Sequence, residues 1–111
     1  MTNPPQVGEV LTILMTAPDA EVGERIVRQL LDEGLIACGN LVPGVVSLYR
    51  WEGVINRDPE VLVIMKTVAE NVPAVLEQAE QAHPYDVPEL LVQRVVDGAP
   101  RYLDWVKREC R

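Results

Sequence analysis

Phenylalanine is absent from all 111 residues, so the apolar 48% of the chain has to build its core from aliphatic side chains, Val and Leu foremost. Cysteine is almost as scarce. Cys38 and Cys110 stand far apart with no CxxC spacing, which removes a disulfide framework and a cysteine-rich zinc module. Two isolated thiols fit a reducing cytoplasm, as does a beginning, Met1-Thr2-Asn3-Pro4-Pro5, without a basic and then apolar stretch. No apolar run approaches the ~20 residues of a membrane helix, which excludes insertion into a bilayer. His83 is the one histidine, so there is no HxxxH pair. The P-loop, the dinucleotide fingerprint and the nucleophile elbow are missing too, and no reaction is assigned: the chain is read as a non-enzyme.

Positive charge is also in short supply. Seventeen acidic residues against ten basic ones give a formal charge of -7, a field that repels phosphate backbones and anionic lipid. Nucleic acid and membrane surfaces are therefore excluded as partners. Cations are attracted diffusely, which is a weaker statement than a coordination site.

What is present is enough for one domain over residues 1–111, with an aliphatic core and no linker, repeat or low-complexity tract. Glu9 to Thr16 is a nearly continuous apolar run suited to a central strand buried on both faces. Asp19 supplies the N-cap of a first helix, whose stripe is Val22, Ile26, Val27, Leu30 and Leu31 and whose stop is Gly34. From Leu35 to Trp51 the chain is β-rich, with Pro43-Gly44 implying a bulge. Glu52-Gly53 is preferred over Asn56-Arg57-Asp58-Pro59 as the hairpin turn, leaving Asp58-Pro59 as a bulge on an edge. Val61 to Lys66 forms the inner half of the return strand. A second helix runs from about Glu70 to Ala82, with Pro73 in its first turn and Val72, Val75, Leu76 and Ala79 buried; His83, before Pro84, ends it. Glu89 to Val96 is a fourth strand, Asp97-Gly98 a turn, and Pro100 opens a last helix with Tyr102, Leu103, Trp105 and Val106. Strand, helix, strand, strand, helix, strand, helix describes an α+β ferredoxin-like βαββαβ sandwich with an extended β2-β3 hairpin and a C-terminal helix.

At ~3.3 Å per residue, a strand from Cys38 to Trp51 overreaches so small a body and needs something to pack on. Tyr49, Arg50 and Trp51 are residue types enriched at the cores of interfaces. Either the hairpin reaches a neighbouring subunit or it folds back over its own sheet; the pattern alone leaves both open.

Several motifs follow one another along the chain: Thr16-Ala17-Pro18-Asp19, Ala37-Cys38, Pro43-Gly44, Tyr49, Trp51-Glu52-Gly53, Lys66-Thr67, His83-Pro84-Tyr85, Val87-Pro88-Glu89 and Tyr102-Leu103-Asp104-Trp105. On these, from about Leu11 to Val106, the sequence resembles the CutA family. The resemblance implies a ferredoxin-like subunit and a tight homotrimer whose hairpins exchange strand pairing. It further implies a link to tolerance of copper and other divalent cations, and likeness to trimeric PII-type signalling proteins that bind small ligands between subunits.

Some bacterial members carry a cysteine at the end of the first strand and a second histidine before the His-Pro pair, both proposed as copper ligands; here Met15 and Ala82 stand there. Of that set His83 remains, read either as a metal ligand, Cu(II) being the ion considered, or as a structural helix-ending histidine. A cleft between subunits could join His83 of one chain to Cys38, Glu52 or Glu89 of another. Cys38 reads more simply as a small buried hydrophobe. Trp51 and Tyr85 are cleft walls or packing. Lys66 is expected to pair with Glu89 or Glu52, with an anion contact as the other option. No cofactor is obligatory. The competing function is a PII-like module for a small anionic or nucleotide-like metabolite.

Overall fold

The computed structural model describes residues 3–111; Met1 and Thr2, part of the beginning read above, lie outside them. Eight elements follow in order: β1 (Val10–Ala17), α1 (Ala20–Asp32), β2 (Cys38–Trp51), β3 (Val54–Val68), a 3-10 turn (Ala69–Asn71), α2 (Val72–Ala82), β4 (Leu90–Arg94) and α3 (Pro100–Glu109). The strands form one antiparallel sheet in the order β2-β3-β1-β4, so β1 is central and the ferredoxin-like arrangement stands.

Local chemistry sets the helix ends. The Asp19 carboxylate accepts from the Val22 amide at 2.9 Å, satisfying one of the free donors of the first turn. At the other end Gly34 takes φ +70°, and the Leu35 amide reaches back to the Leu30 carbonyl at 3.0 Å while Gly34 bonds Leu31, a left-handed cap that a Cβ would strain. The stripe of α1 buries Ile26, Val27 and Leu30, but Leu31 is 38% exposed and does not join it. At 3.6 residues per turn, Leu31 follows Leu30 by about 100° and leaves the buried arc.

Alternation across the strands separates two faces. Ile13, Met15, Val63 and Met65 point to the side covered by α1 and α2, where they join Ile26, Leu30 and Val75 in the main core. On the opposite side α3 covers one end only, burying Val10, Val68 and Val106. Beyond α3 the face continues with half-buried Leu14, Leu62 and Ile64 and exposed Leu91.

The hairpin closes at Glu52-Gly53. Trp51 pairs with Val54, and both turn residues take positive φ, 50° and 81°, the two-residue geometry whose twist matches the flanking strands. The expected bulge at Asp58-Pro59 does not form: Pro59 pairs in register with Val46 and Asp58 with Ser47. The extra residue lies on β2, where Pro43-Gly44 sits between the pairs Val42–Leu62 and Val45–Glu60. Pro59 is accommodated because β1 ends at Ala17, opposite Val61, so one side of β3 is an open edge there. Two other boundaries shift. β4 is confined to Leu90–Arg94, and Asp97-Gly98 forms no turn but lies in an irregular stretch that ends at Ala99, held by Pro100 at φ -61°, ψ 122°.

Candidate functional site

A cavity of about 650 Å³ opens where the base of the hairpin meets the segment after α2. Tyr49 and Trp51 enter from β2, Glu60 from β3 and Thr16 from the end of β1, while Tyr85 and Glu89 come from the loop before β4. The Pro43-Gly44 bulge matters here. It restores the pairing of Val45 with Glu60, so that Ser47 and Tyr49 share a face with Glu60 instead of opposing it.

His83 lies at the floor of this loop, 7% exposed. Its Nδ1 accepts from the Tyr85 amide at 3.1 Å, so the ring proton resides on Nε2, which donates to the Thr16 carbonyl at 2.8 Å. Both nitrogens are thus engaged, and the Tyr85 ring packs at 4.7 Å between centroids. The histidine ties the C-terminus of α2 to the end of β1 and aims Tyr85 at the cavity.

Tyr85 donates its hydroxyl to Glu60 Oε2 at 2.8 Å, and Tyr49 donates to Asp58 Oδ2 at 2.5 Å. Burial, followed by the Glu60 hydrogen bond and charge, pushes the Tyr85 hydroxyl far above the ordinary tyrosine range; the Asp58 bond raises Tyr49. Both phenols therefore stay protonated donors. Glu60 is only 9% exposed, yet among the described residues the ion pairs are Arg28–Glu24 and Arg94–Glu9, and none involves Glu60.

The cavity brings together Trp51, Tyr85 and Glu89. Glu52 sits at the hairpin tip, in the turn. Cys38 and Lys66 are cross-strand neighbours elsewhere on the sheet. Lys66 does not form the expected ion pair with Glu89 or Glu52: its amine bonds the Asn40 side chain and lies 3.9 Å from Cys38 Sγ. Strand register decides this, because Cys38 and Asn40 project from β2 on the same side as Lys66. Met15 is fully buried in the main core. No group of three or more His, Cys, Asp or Glu that could hold a metal ion occurs among the described residues. A second depression, about 760 Å³, follows the charged outer side of α1 and contains none of the residues singled out in the sequence.

Glu60, Thr16 and Asp58 escape sequence reasoning. The available signal was a lone carboxylate directly before the apolar run Val61–Met65, where a residue lying between edge and core is expected to carry a partner.

Comparison with known proteins agrees with this architecture. The family model described as CutA1 divalent ion tolerance protein matches residues 11–109. The chain is 40% identical over 95 residues to the divalent-cation tolerance protein CutA of Thermus thermophilus, covering 86% of this chain and 92% of that one. It is 40% identical over 105 residues to the protein of the same name from Citrobacter koseri, with 95% and 91% covered. Among solved structures, CutA from Xylella fastidiosa superposes with a TM-score of 0.90 at 39% identity, covering 93% of this chain and 99% of that chain. With the family model spanning nearly the whole sequence and the same fold in its relatives, the chain belongs to the CutA1 divalent ion tolerance family.

Proposed function

We propose that this chain serves tolerance of divalent cations as a cytoplasmic, non-catalytic homotrimer of CutA-like domains, with the cavity at the hairpin base forming part of a cleft between subunits. The observation that supports this best is the outer hairpin itself, read with the family membership. Leu48 is 69% and Ile55 68% exposed on an arm whose β3 half lacks a strand on one side. Soluble chains seldom leave so continuous an apolar surface and ladder edge open to water. Native mass spectrometry at micromolar concentration tests it: a dominant trimer is expected, and a dominant monomer defeats the assembly.

Copper is the ion this reading carries to the cleft, bound weakly. A Cu(II) ion at His83 would have to displace either the Thr16 carbonyl or the Tyr85 amide, and the remaining ligands would come from Glu89 and from a neighbouring subunit. Calorimetry with copper chloride on the wild type and His83→Ala is expected to show weaker binding in the variant; equal affinity removes His83 from the site. The PII-like alternative for an anionic metabolite draws less support, because Glu60, Asp86 and Glu89 line the cavity and Lys66 does not.

A further inference from the structure

Glu60 is the anomaly of this fold. A carboxylate nine-tenths buried ordinarily has a cation beside it, since removing an unpaired charge from water is costly. Among the described residues its one side-chain partner is the Tyr85 hydroxyl, a neutral donor, and no lysine, arginine or histidine nitrogen lies within ion-pairing distance. A second carboxylate, Asp58, is held the same way by Tyr49. Both tyrosines and Trp51 line the cavity that Glu60 faces. Aromatic faces attract cations through their quadrupoles, and more strongly where water is thinned out.

A bare divalent metal suits these walls poorly. Magnesium and calcium ask for about six or more oxygens, and copper or zinc for nitrogen and sulfur, whereas the described residues offer no cluster of three potential metal ligands. Carboxylates around the rim disfavour an anion. The combination left is one buried negative charge, aromatic walls and about 650 Å³ of space.

We propose that the cavity between the hairpin base and the Tyr85 loop binds a small organic cation, an alkylammonium or quaternary ammonium group, with Glu60 as counter-charge and Trp51, Tyr49 and Tyr85 as walls. This rests on the reading of the same cavity as the cleft of the assembly, but it uses residues of one chain only.

The test compares choline with its uncharged isostere 3,3-dimethyl-1-butanol, using amide NMR shifts and calorimetry on the intact protein. Saturable choline binding that shifts the Tyr85 and Glu60 signals is expected, at least about tenfold tighter than the alcohol. Glu60→Gln keeps an acceptor for Tyr85 and should weaken choline by about tenfold or more while leaving the thermal midpoint near that of the wild type. Trp51→Leu, at a half-exposed position, gives a second loss of binding that is independent of the Glu60 environment. Equal affinity for alcohol and cation, unchanged binding in both variants, or displacement of choline by stoichiometric copper overturns the inference. Native mass spectrometry of the same samples separates the two readings. A trimer that ignores choline, and is destabilised by Glu60→Gln, assigns the missing cation to a neighbour's side chain and sinks the ligand. A monomer that binds choline sinks the assembly and keeps the ligand.

Discussion

The two halves of β3 are one strand in two environments. From Val61 to Val68 it is flanked by β1 and β2 and covered by helices, and Val63 and Met65 are completely buried. From Val54 to Glu60 it pairs with β2 alone, and Val54 and Ile55 stand in solvent although they are as apolar as their inner counterparts. Composition separates the halves in part, since Asn56-Arg57-Asp58-Pro59-Glu60 is polar where Val61–Met65 is apolar, but the exposure of Val54 and Ile55 follows from their neighbours. Burial is a property of what lies across the ladder and above the sheet, so the inner half stabilises the subunit while the outer half presents a surface and, at its junction, a cavity.

The contrast breaks most directly by truncating each half. Met65→Ala should cost ~2–5 kcal/mol in denaturant-monitored unfolding, from lost transfer energy plus the cavity left behind. Ile55→Ala should change the same quantity by no more than about 0.5 kcal/mol when measured on dissociated chains. Similar losses at both positions would mean that the hairpin is part of the subunit core. A smaller effect is expected where β2 approaches α1 most closely. A Cβ on Gly39 would lie 2.7 Å from a Val27 methyl, so Gly39→Ala should destabilise by ~1–3 kcal/mol, and adding Val27→Ala should recover part of that loss. Removing the N-cap with Asp19→Ala should cost about 1 kcal/mol, a local effect that leaves the hairpin untouched in hydrogen exchange.

The smallest effect is a slope with pH. Tyr85, Tyr49 and Tyr102 are all held above the ordinary tyrosine range, Tyr85 and Tyr102 chiefly by burial and Tyr49 chiefly by its bond to Asp58. Above about pH 10 the unfolded chain loses phenolic protons that the folded chain still holds. Stability should therefore be constant in this respect below pH ~10 and decline above it. In a spectroscopic alkaline titration of tyrosinate, Tyr85→Phe should delete the latest-ionising component; a phenol titrating normally at that position would show that the Glu60 contact is not maintained in solution.

Much of the fold was legible because the signals are local. The Asp19 cap, the Gly34 stop, Pro73 in a first turn and the Glu52-Gly53 hairpin each act within a few residues, and each falls where the sequence places it. The bulge was half legible. Two Pro-containing pairs, Pro43-Gly44 and Asp58-Pro59, compete for the irregularity, and only the finished ladder shows that Pro59 sits on an open edge and needs none. Of the candidate residues, Trp51, Tyr85 and Glu89 converge on the cavity, while Cys38, Glu52 and Lys66 go elsewhere. Lys66 misled because a charge at the end of an apolar strand suggests an ion pair, whereas its cross-strand neighbours are a thiol and an amide.

By itself the sequence determined the order of elements, the central position of β1 and the family, since apolar period, caps and turns are written in neighbouring residues. Only the tertiary structure decided that both nitrogens of His83 are engaged, that Tyr85 reaches Glu60 and that Glu60 is buried without a cation. The Thr16–His83 and Glu60–Tyr85 contacts join residues tens of positions apart, and a side chain's partners there depend on register and on a one-residue bulge. Shifting that register by one residue, as loss of the Pro43-Gly44 bulge would do, turns Ser47, Tyr49 and Trp51 to the face opposite Glu60 and takes the aromatic walls away from its carboxylate.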